Sequence, residues 1–313
     1  MTATRTGEAD DPVRAALAAL RVERRRTVDE RQAFETFRDR VSSIPDESGS
    51  VDPSTAGPAN GGGGASGGVD RAVGGGAVDA FGDALGRGTD EIGDGVTAAA
   101  GSGLVAVRDA YRATVMSVPH YEVEYDDTYE RSVAAEFGPE MAYALTRTTN
   151  FRAEYKRSLL TAASTAIEER ESFLDAVESE VESVSRAGSR LDPVRSEVEA
   201  IRDELGGGDE RDEERDGDAD RNGHRAAPTF GALDACRTRT EALRDDCDRI
   251  AARRQRAIAD SERRLALDDG LDLPAYCYQD LDATYPVLAA VGAVGADLDA
   301  LRRRIERSMG RAR

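Results

Sequence analysis

LTAASTAIEERESFLDAVESEVESV, residues Leu160 to Val184, is the stretch on which the fold turns. Leu160, Ala163, Ile167, Arg170, Leu174, Val177, Val181 and Val184 recur at alternating steps of three and four. At 3.6 residues per turn that rhythm lays one apolar stripe along a helix, with Glu, Ser and Asp on the opposite side. The spacing predicts a long helix starting near residue 150, interrupted at Gly188 and resumed from Asp192 to Leu205. A stripe of this kind stays in water only at a cost, so it needs a second one to bury it.

The second stripe lies further on, in Leu233, Cys236, Thr240, Leu243, Cys247, Ile250, Arg254, Ile258, Ser261 and Leu265. Between the two runs, residues 206–228 are charged, bounded by glycine and without an apolar side chain larger than alanine, which predicts a solvated, disordered acidic loop. A connection of that length lets the helices fold back on one another as an antiparallel, coiled-coil-like hairpin. Leu160, Ile167, Leu174, Val177 and Val181 are then the seam of one helix, and Leu243, Ile250 and Ile258 that of the other. Arg170, Thr240 and Arg254 are polar positions within the seam, of the kind that fix register.

Working outward, residues 1–44 read as an N-terminal helix. Asp10 and Asp11 precede Pro12 in the first turn, Val13, Leu17 and Leu20 open a stripe, and Phe34, Phe37, Val41 and Ile44 close it. Arg24 and Arg31 interrupt that stripe in the middle. Residues 45–103 are a flexible linker: seventeen glycines fall between Gly57 and Gly103, too many for packed structure, and no Gly-Lys-Ser or Gly-Lys-Thr makes them a phosphate loop. Residues 104–205 form a helical region in which Leu104, Val107, Tyr111, Val115 and Val118 share one face of a short helix that Pro119 ends. Asp126 or Asp127 is expected to cap the next helix, which stops at Gly138 and restarts at Pro139. Residues 229–313 form a C-terminal helical region packing on 104–205, broken at Leu273-Pro274 and Tyr285-Pro286 into one short and one long helix. No stretch alternates as a strand does. The fold class read from these patterns is all-α: an elongated helical bundle with long antiparallel helices and disordered linkers.

Composition narrows the setting. The 313 residues carry 61 acidic against 42 basic side chains, a formal charge of -19, with Lys156 the only lysine and a mean hydropathy of -0.54. Carboxylate excess with arginine in place of lysine suits a halophilic, acidic proteome, where molar salt screens the repulsion to about 3 Å. Cys236, Cys247 and Cys277 lack metal-ligand spacing, and 11 residues of helix between the first two put them about 16 Å apart, beyond disulfide reach. They are read as small apolar residues in a reducing cytoplasm. No signal sequence opens the chain, and no transmembrane run of eighteen apolar residues occurs.

One motif concentrates scarce residue types. TVMSVPHYEVEY, Thr114 to Tyr125, holds one of two histidines, with two tyrosines, a proline and two glutamates. Pro119, His120, Tyr121, Glu122 and Tyr125 are read as a fixed corner between helices and a recognition surface, with Tyr125 and Tyr129 stacked one turn apart and their hydroxyls on open helix-end carbonyls. A metal-dependent enzyme using His120, Glu122 and Glu124 is the weaker alternative. His-Glu-x-x-His is absent, neither histidine has a glutamate three residues before it, and His224 lies in the acidic loop.

AYRATVMSVPHYEVEYDDTYERSVAAEFGPEMAYAL (Ala110–Leu145), RQAFETFRDRVSSIP (Arg31–Pro45), RRQRAI (Arg253–Ile258) and YCYQDLDATYPVL (Tyr276–Leu288) together resemble a family of uncharacterised haloarchaeal proteins carrying one domain of unknown function. The resemblance implies an organism type and a compartment, and carries over no catalytic residue.

The function read from these features is a non-enzymatic interaction or scaffold protein, acting through helix pairing with itself or a protein partner. No catalytic residue, cofactor, metal or small-molecule ligand is expected. A nucleic-acid-associated regulator is the alternative suggested by Arg24, Arg25 and Arg26 and by Arg302, Arg303, Arg304, Arg307, Arg311 and Arg313, but arginines at a helix C-terminus are favourable by the macrodipole alone.

Overall fold

The computed structural model describes residues 11–46, 101–206, 228–265 and 272–312. Among these, all regular structure is helical and no strand occurs: α1 (Pro12–Ser43), α2 (Ser102–Arg112), α3 (Tyr121–Glu124), α4 (Tyr129–Arg147), α5 (Ala153–Glu204), α6 (Phe230–Leu265), α7 (Leu273–Cys277) and α8 (Pro286–Arg311). The chain is all-α. The expected linker lies outside the described residues apart from its ends, and so do nearly all of the acidic loop and His224. No helix among the described residues is long and apolar enough to cross a membrane.

The helices form two compact units. One comprises residues 24–175, the other residues 1–23 with 176–313, so that α1 and α5 each contribute to both.

The unit of residues 24–175 is built on aromatic packing. Tyr111 stands at its centre, edge-on to Phe37 at 5.2 Å, Tyr129 at 5.6 Å and Phe137 at 5.9 Å between ring centroids. Its hydroxyl meets that of Ser132 at 2.9 Å, which supplies the partner a buried phenol needs. Val41, Val107, Val133, Phe151, Leu159 and Ala163 close the core around it. Gly103 of α2 lies so close to Phe151 that an added Cβ would sit 2.8 Å from the Phe151 Cβ. Lys156, the lone lysine, donates to the carbonyls of Ser42 at 2.8 Å and Ile44 at 2.6 Å, filling acceptors left open where α1 ends.

Several local expectations for this unit change. α2 ends at Arg112, well before Pro119, because Thr114 leaves helical geometry and turns its hydroxyl back to the Ala110 carbonyl at 2.7 Å. The helix after the corner is capped by Thr128, whose hydroxyl accepts from the Arg131 amide, and by neither aspartate. Asp126 instead closes α3, in the left-handed region at φ 40°, with its amide on the Tyr121 carbonyl at 3.2 Å. The break at Gly138, φ 84°, falls where the Gly-Pro pair places it. Along α1 the middle of the stripe is polar, as read, but Thr27 and Glu30 occupy it; Arg24 is exposed and Arg31 half-buried. Stepping by 3.6 residues through Ala16, Leu20, Thr27, Glu30, Phe34 and Phe37 gives the buried line, and the arginines fall beside it.

In the unit of residues 1–23 and 176–313, α5, α6 and α8 pack with the opening turns of α1 and with α7. α5 is continuous across Gly188 and Pro193, which overturns the interruption expected at Gly188. Glycine at 188 serves packing: a Cβ there would lie 3.0 Å from Val13 Cγ1 on α1. Arg195 holds the same end of α1 through Asp11 at 3.2 Å and 3.3 Å. Contacts between α5 and α6 run from Glu180 with Arg254 to Glu197 and Glu204 with Arg239. Ile167, Leu174, Val177, Ile250 and Ile258 are buried, whereas Leu160, Val181 and Leu243 are half-buried. In place of Leu160 and Val181, the line of buried positions runs through Leu159 and Glu180. Cys236, Cys247 and Cys277 are all free thiols.

Candidate functional site

The sequence motif resolves into a corner clamped from inside. Val115–Ser117 forms one 3-10 turn, Pro119 is exposed, and His120 and Tyr121 turn inward while α3 carries Glu122 and Val123 outward. Val123 is 86% exposed.

Behind the corner lies a network of buried charge. Glu30, on the polar stretch of α1, takes His120 Nε2 at 3.0 Å and the Tyr125 hydroxyl at 3.3 Å on one oxygen, and Arg170 Nε at 3.3 Å on the other. Arg170 of α5 donates onward to Glu136 of α4 at 2.7 Å, and its guanidinium lies 4.6 Å from the centroid of the Phe34 ring. The side chains of Arg170, His120 and Glu30 are 6%, 9% and 10% exposed. Removing a carboxylate and a guanidinium from water costs several kcal/mol each, and only this density of charge-assisted bonds offsets it. Outside the network, Arg26 pairs with Glu124 at 2.6 Å.

The protonation of the network follows from its geometry. Burial pushes the Glu30 carboxyl up, but the His120 hydrogen bond and the Arg170 charge together outweigh it and hold the group below the usual carboxylate range. His120 is raised above its ordinary value by the bond to Glu30, against the opposing effect of burial. Arg170 is raised too, Glu136 and Glu30 overcoming the penalty of burial. Tyr125 and Tyr121 are both raised, chiefly by burial. The corner thus holds its charges as Glu30 anion and Arg170 cation, with two neutral phenols.

A small cavity of about 70 Å³ opens against this network, lined by Glu30, Phe34, Tyr121, Tyr125, Glu136 and Arg170 among others. Among the described residues Glu136 Oε2 has no hydrogen-bond partner. Space of this size with polar groups on its wall accommodates ordered water.

The structure therefore brings His120, Tyr121 and Tyr125 together on the inner side and leaves Pro119 and Glu122 on the outer. It does not gather His120, Glu122 and Glu124: Glu122 is exposed and Glu124 is paired with Arg26. Among the described residues no three His, Cys, Asp or Glu side chains stand in metal-holding geometry. The expected Tyr125–Tyr129 stack is replaced by Tyr121–Tyr125 at 5.5 Å and Tyr111–Tyr129 at 5.6 Å, and the Tyr125 hydroxyl binds a carboxylate in place of a carbonyl. Glu30 and Glu136 were not visible from the sequence, though a charged Arg170 on an apolar stripe signalled that a buried counter-charge was needed.

A second buried charge cluster stands in the other unit. Arg254 binds both oxygens of Glu180 and the Ser183 hydroxyl at 2.9 Å, and the Tyr278 hydroxyl donates to Glu180 at 2.6 Å. The Arg254 and Glu180 side chains are 2% and 5% exposed.

Of the arginines considered for nucleic acid, Arg304 donates to the Leu205 carbonyl at the end of α5 and Arg302 lies 3.7 Å from Glu306. Comparison with family models places residues 11–302 in a single family, described as a domain of unknown function, DUF7260. The chain belongs to the DUF7260 family. That match covers the unit of residues 24–175 and most of the other, with the corner and both buried charge clusters of this DUF7260 protein. Neither the curated proteins nor the solved structures gave a match.

Proposed function

We propose that this protein is a non-enzymatic interaction protein of a halophilic cytoplasm, whose corner presents Pro119, Glu122 and Val123 as a rigid tip to an apolar pocket on a protein partner. The observation that carries this reading is the contrast across the corner: Val123 is 86% exposed on α3, while His120 and Tyr125, one turn away, are fastened to the buried Glu30. A tip ordered before binding loses little entropy on docking, so one apolar anchor counts for more there than on a loose loop. The chemistry on the inner side supports the same reading, because the two oxygens of Glu30 are taken by His120 Nε2 and Arg170 Nε, and a second guanidinium nitrogen of Arg170 is taken by Glu136. Scaffold here means a helical frame, with α5 and α6 as an antiparallel, coiled-coil-like pair whose seam is spent within the chain and whose partner docks elsewhere.

The test is affinity capture at multimolar KCl with the full chain, wild type against Val123→Asp. Replacing a docked valine with a carboxylate forfeits about 1.5–3 kcal/mol of burial, at least about tenfold in affinity. Loss of a specific partner from the variant, with an unchanged helical circular dichroism spectrum, supports the proposal. The same partners retained by both proteins, or none captured by the wild type, would overturn it.

A further inference from the structure

The unit of residues 1–23 and 176–313 carries a groove that the corner does not explain. It measures about 300 Å³ and runs between α5 and α6, with Ser179, Ser183, Arg186 and Arg190 on one wall and Arg253, Arg254 and Ser261 on the other. Steps of three and four along each helix turn these side chains to a common trough. Four arginines on one groove stand out in a chain of formal charge -19.

Arg254 is neutralised by buried Glu180, Arg186 is bonded to Glu182 at 2.9 Å, and the one carboxylate of the lining, Asp260, is taken by Arg263. Arg190 and Arg253 make no ion pair or side-chain hydrogen bond with a described residue, and both are exposed on the groove. Two guanidiniums that no carboxylate among the described residues pairs therefore face one trough, each with a planar fork of donors suited to phosphoryl oxygens. Ser183 accepts from Arg254 at 2.9 Å, which leaves its own proton to donate into the groove, and Ser179 and Ser261 add further hydroxyls. The floor is Ala187, Ile250 and Ala257, and no aromatic side chain is present to stack a base.

We infer that this groove is a binding site for a multivalent oxyanion of the di- or triphosphate class, held by Arg190 and Arg253 and read through its phosphates alone. A single-charge anion competes poorly with molar chloride for either guanidinium; a di- or triphosphate offers several charge-assisted bonds to the groove at once.

The test is isothermal titration of the full-length protein in molar KCl with sodium pyrophosphate, and in parallel with ATP and with sodium chloride as the dilution control. Saturable pyrophosphate binding is expected, weakened by about tenfold or more in Arg190→Gln and in Arg253→Gln, as expected for losing a charge-assisted contact. Arg303→Gln, an exposed arginine of α8 outside the groove, should bind as the wild type does. ATP should bind within a few-fold of pyrophosphate, since only phosphates are read. Absence of saturable binding at millimolar pyrophosphate, equal binding by the groove variants, an equal loss in Arg303→Gln, or binding of ATP without pyrophosphate would each overturn the assignment. The substituted side chains are exposed, so the variants retain the fold, which an unchanged thermal midpoint verifies.

Discussion

Glu30 is the residue on which the corner depends, since its carboxylate binds His120, Tyr125 and Arg170 together. A buried ion network is vulnerable to loss of one member more than to replacement of all of them. Arg170→Met, which removes the cation shared by Glu30 and Glu136, is expected to destabilise by about 3–5 kcal/mol in chemical denaturation. Glu30→Leu should cost less in the Arg170→Met background than alone, a non-additivity that a double-mutant cycle measures. The pH dependence has a definite sign. His120, raised above 6.5, contributes its stability in full below that value and loses it as pH rises through the raised one, with the Glu124 charge raising and Arg26 lowering it. Glu30, lowered from 4.5, contributes above that value and loses it as pH falls through the lowered one. Urea titrations from acid to alkaline pH should therefore show the stability gap between wild type and His120→Gln widest between those two ordinary values and narrowing on the alkaline side.

The elements were far more legible than their partners. The three-and-four rhythm located α5 and α6, and proline marked the starts of α1, α7 and α8. What it missed was phase: a 3.5-residue repeat drifts against a 3.6-residue helix, and the buried line slipped from Leu160 to Leu159 and from Arg31 to Glu30. It also missed that glycine inside a helix can be a packing device, as at Gly188 against Val13. Two substitutions separate that role from propensity. Gly103→Ala adds a methyl 2.8 Å from Phe151 Cβ, and is expected to destabilise by about 1–3 kcal/mol although alanine is the better helix former. Gly292→Ala in α8 meets nothing within 4 Å, and should stabilise by about 0.5–1 kcal/mol. Thermal midpoints of the two variants moving in opposite directions would bear this out.

Across the whole molecule, the net charge of -19 predicts a fold whose stability rises with salt. Repulsion among exposed carboxylates is screened as salt rises, while the buried Glu30–Arg170 and Glu180–Arg254 pairs, 10% exposed or less, are screened little. The thermal midpoint should accordingly climb steadily from dilute buffer to multimolar KCl. The corner's brace was not legible in the sequence, because Glu30 lies 90 to 140 residues from the partners it binds and meets them only once the helices have packed. The most direct measurement is amide hydrogen exchange over residues 120–125 of the full chain in multimolar KCl, comparing wild type with the near-isosteric Glu30→Gln. A braced corner predicts protection in the wild type that drops in the variant while residues 140–147 of α4 keep theirs. Fast exchange at the corner in both proteins, or equal protection in both, would contradict it.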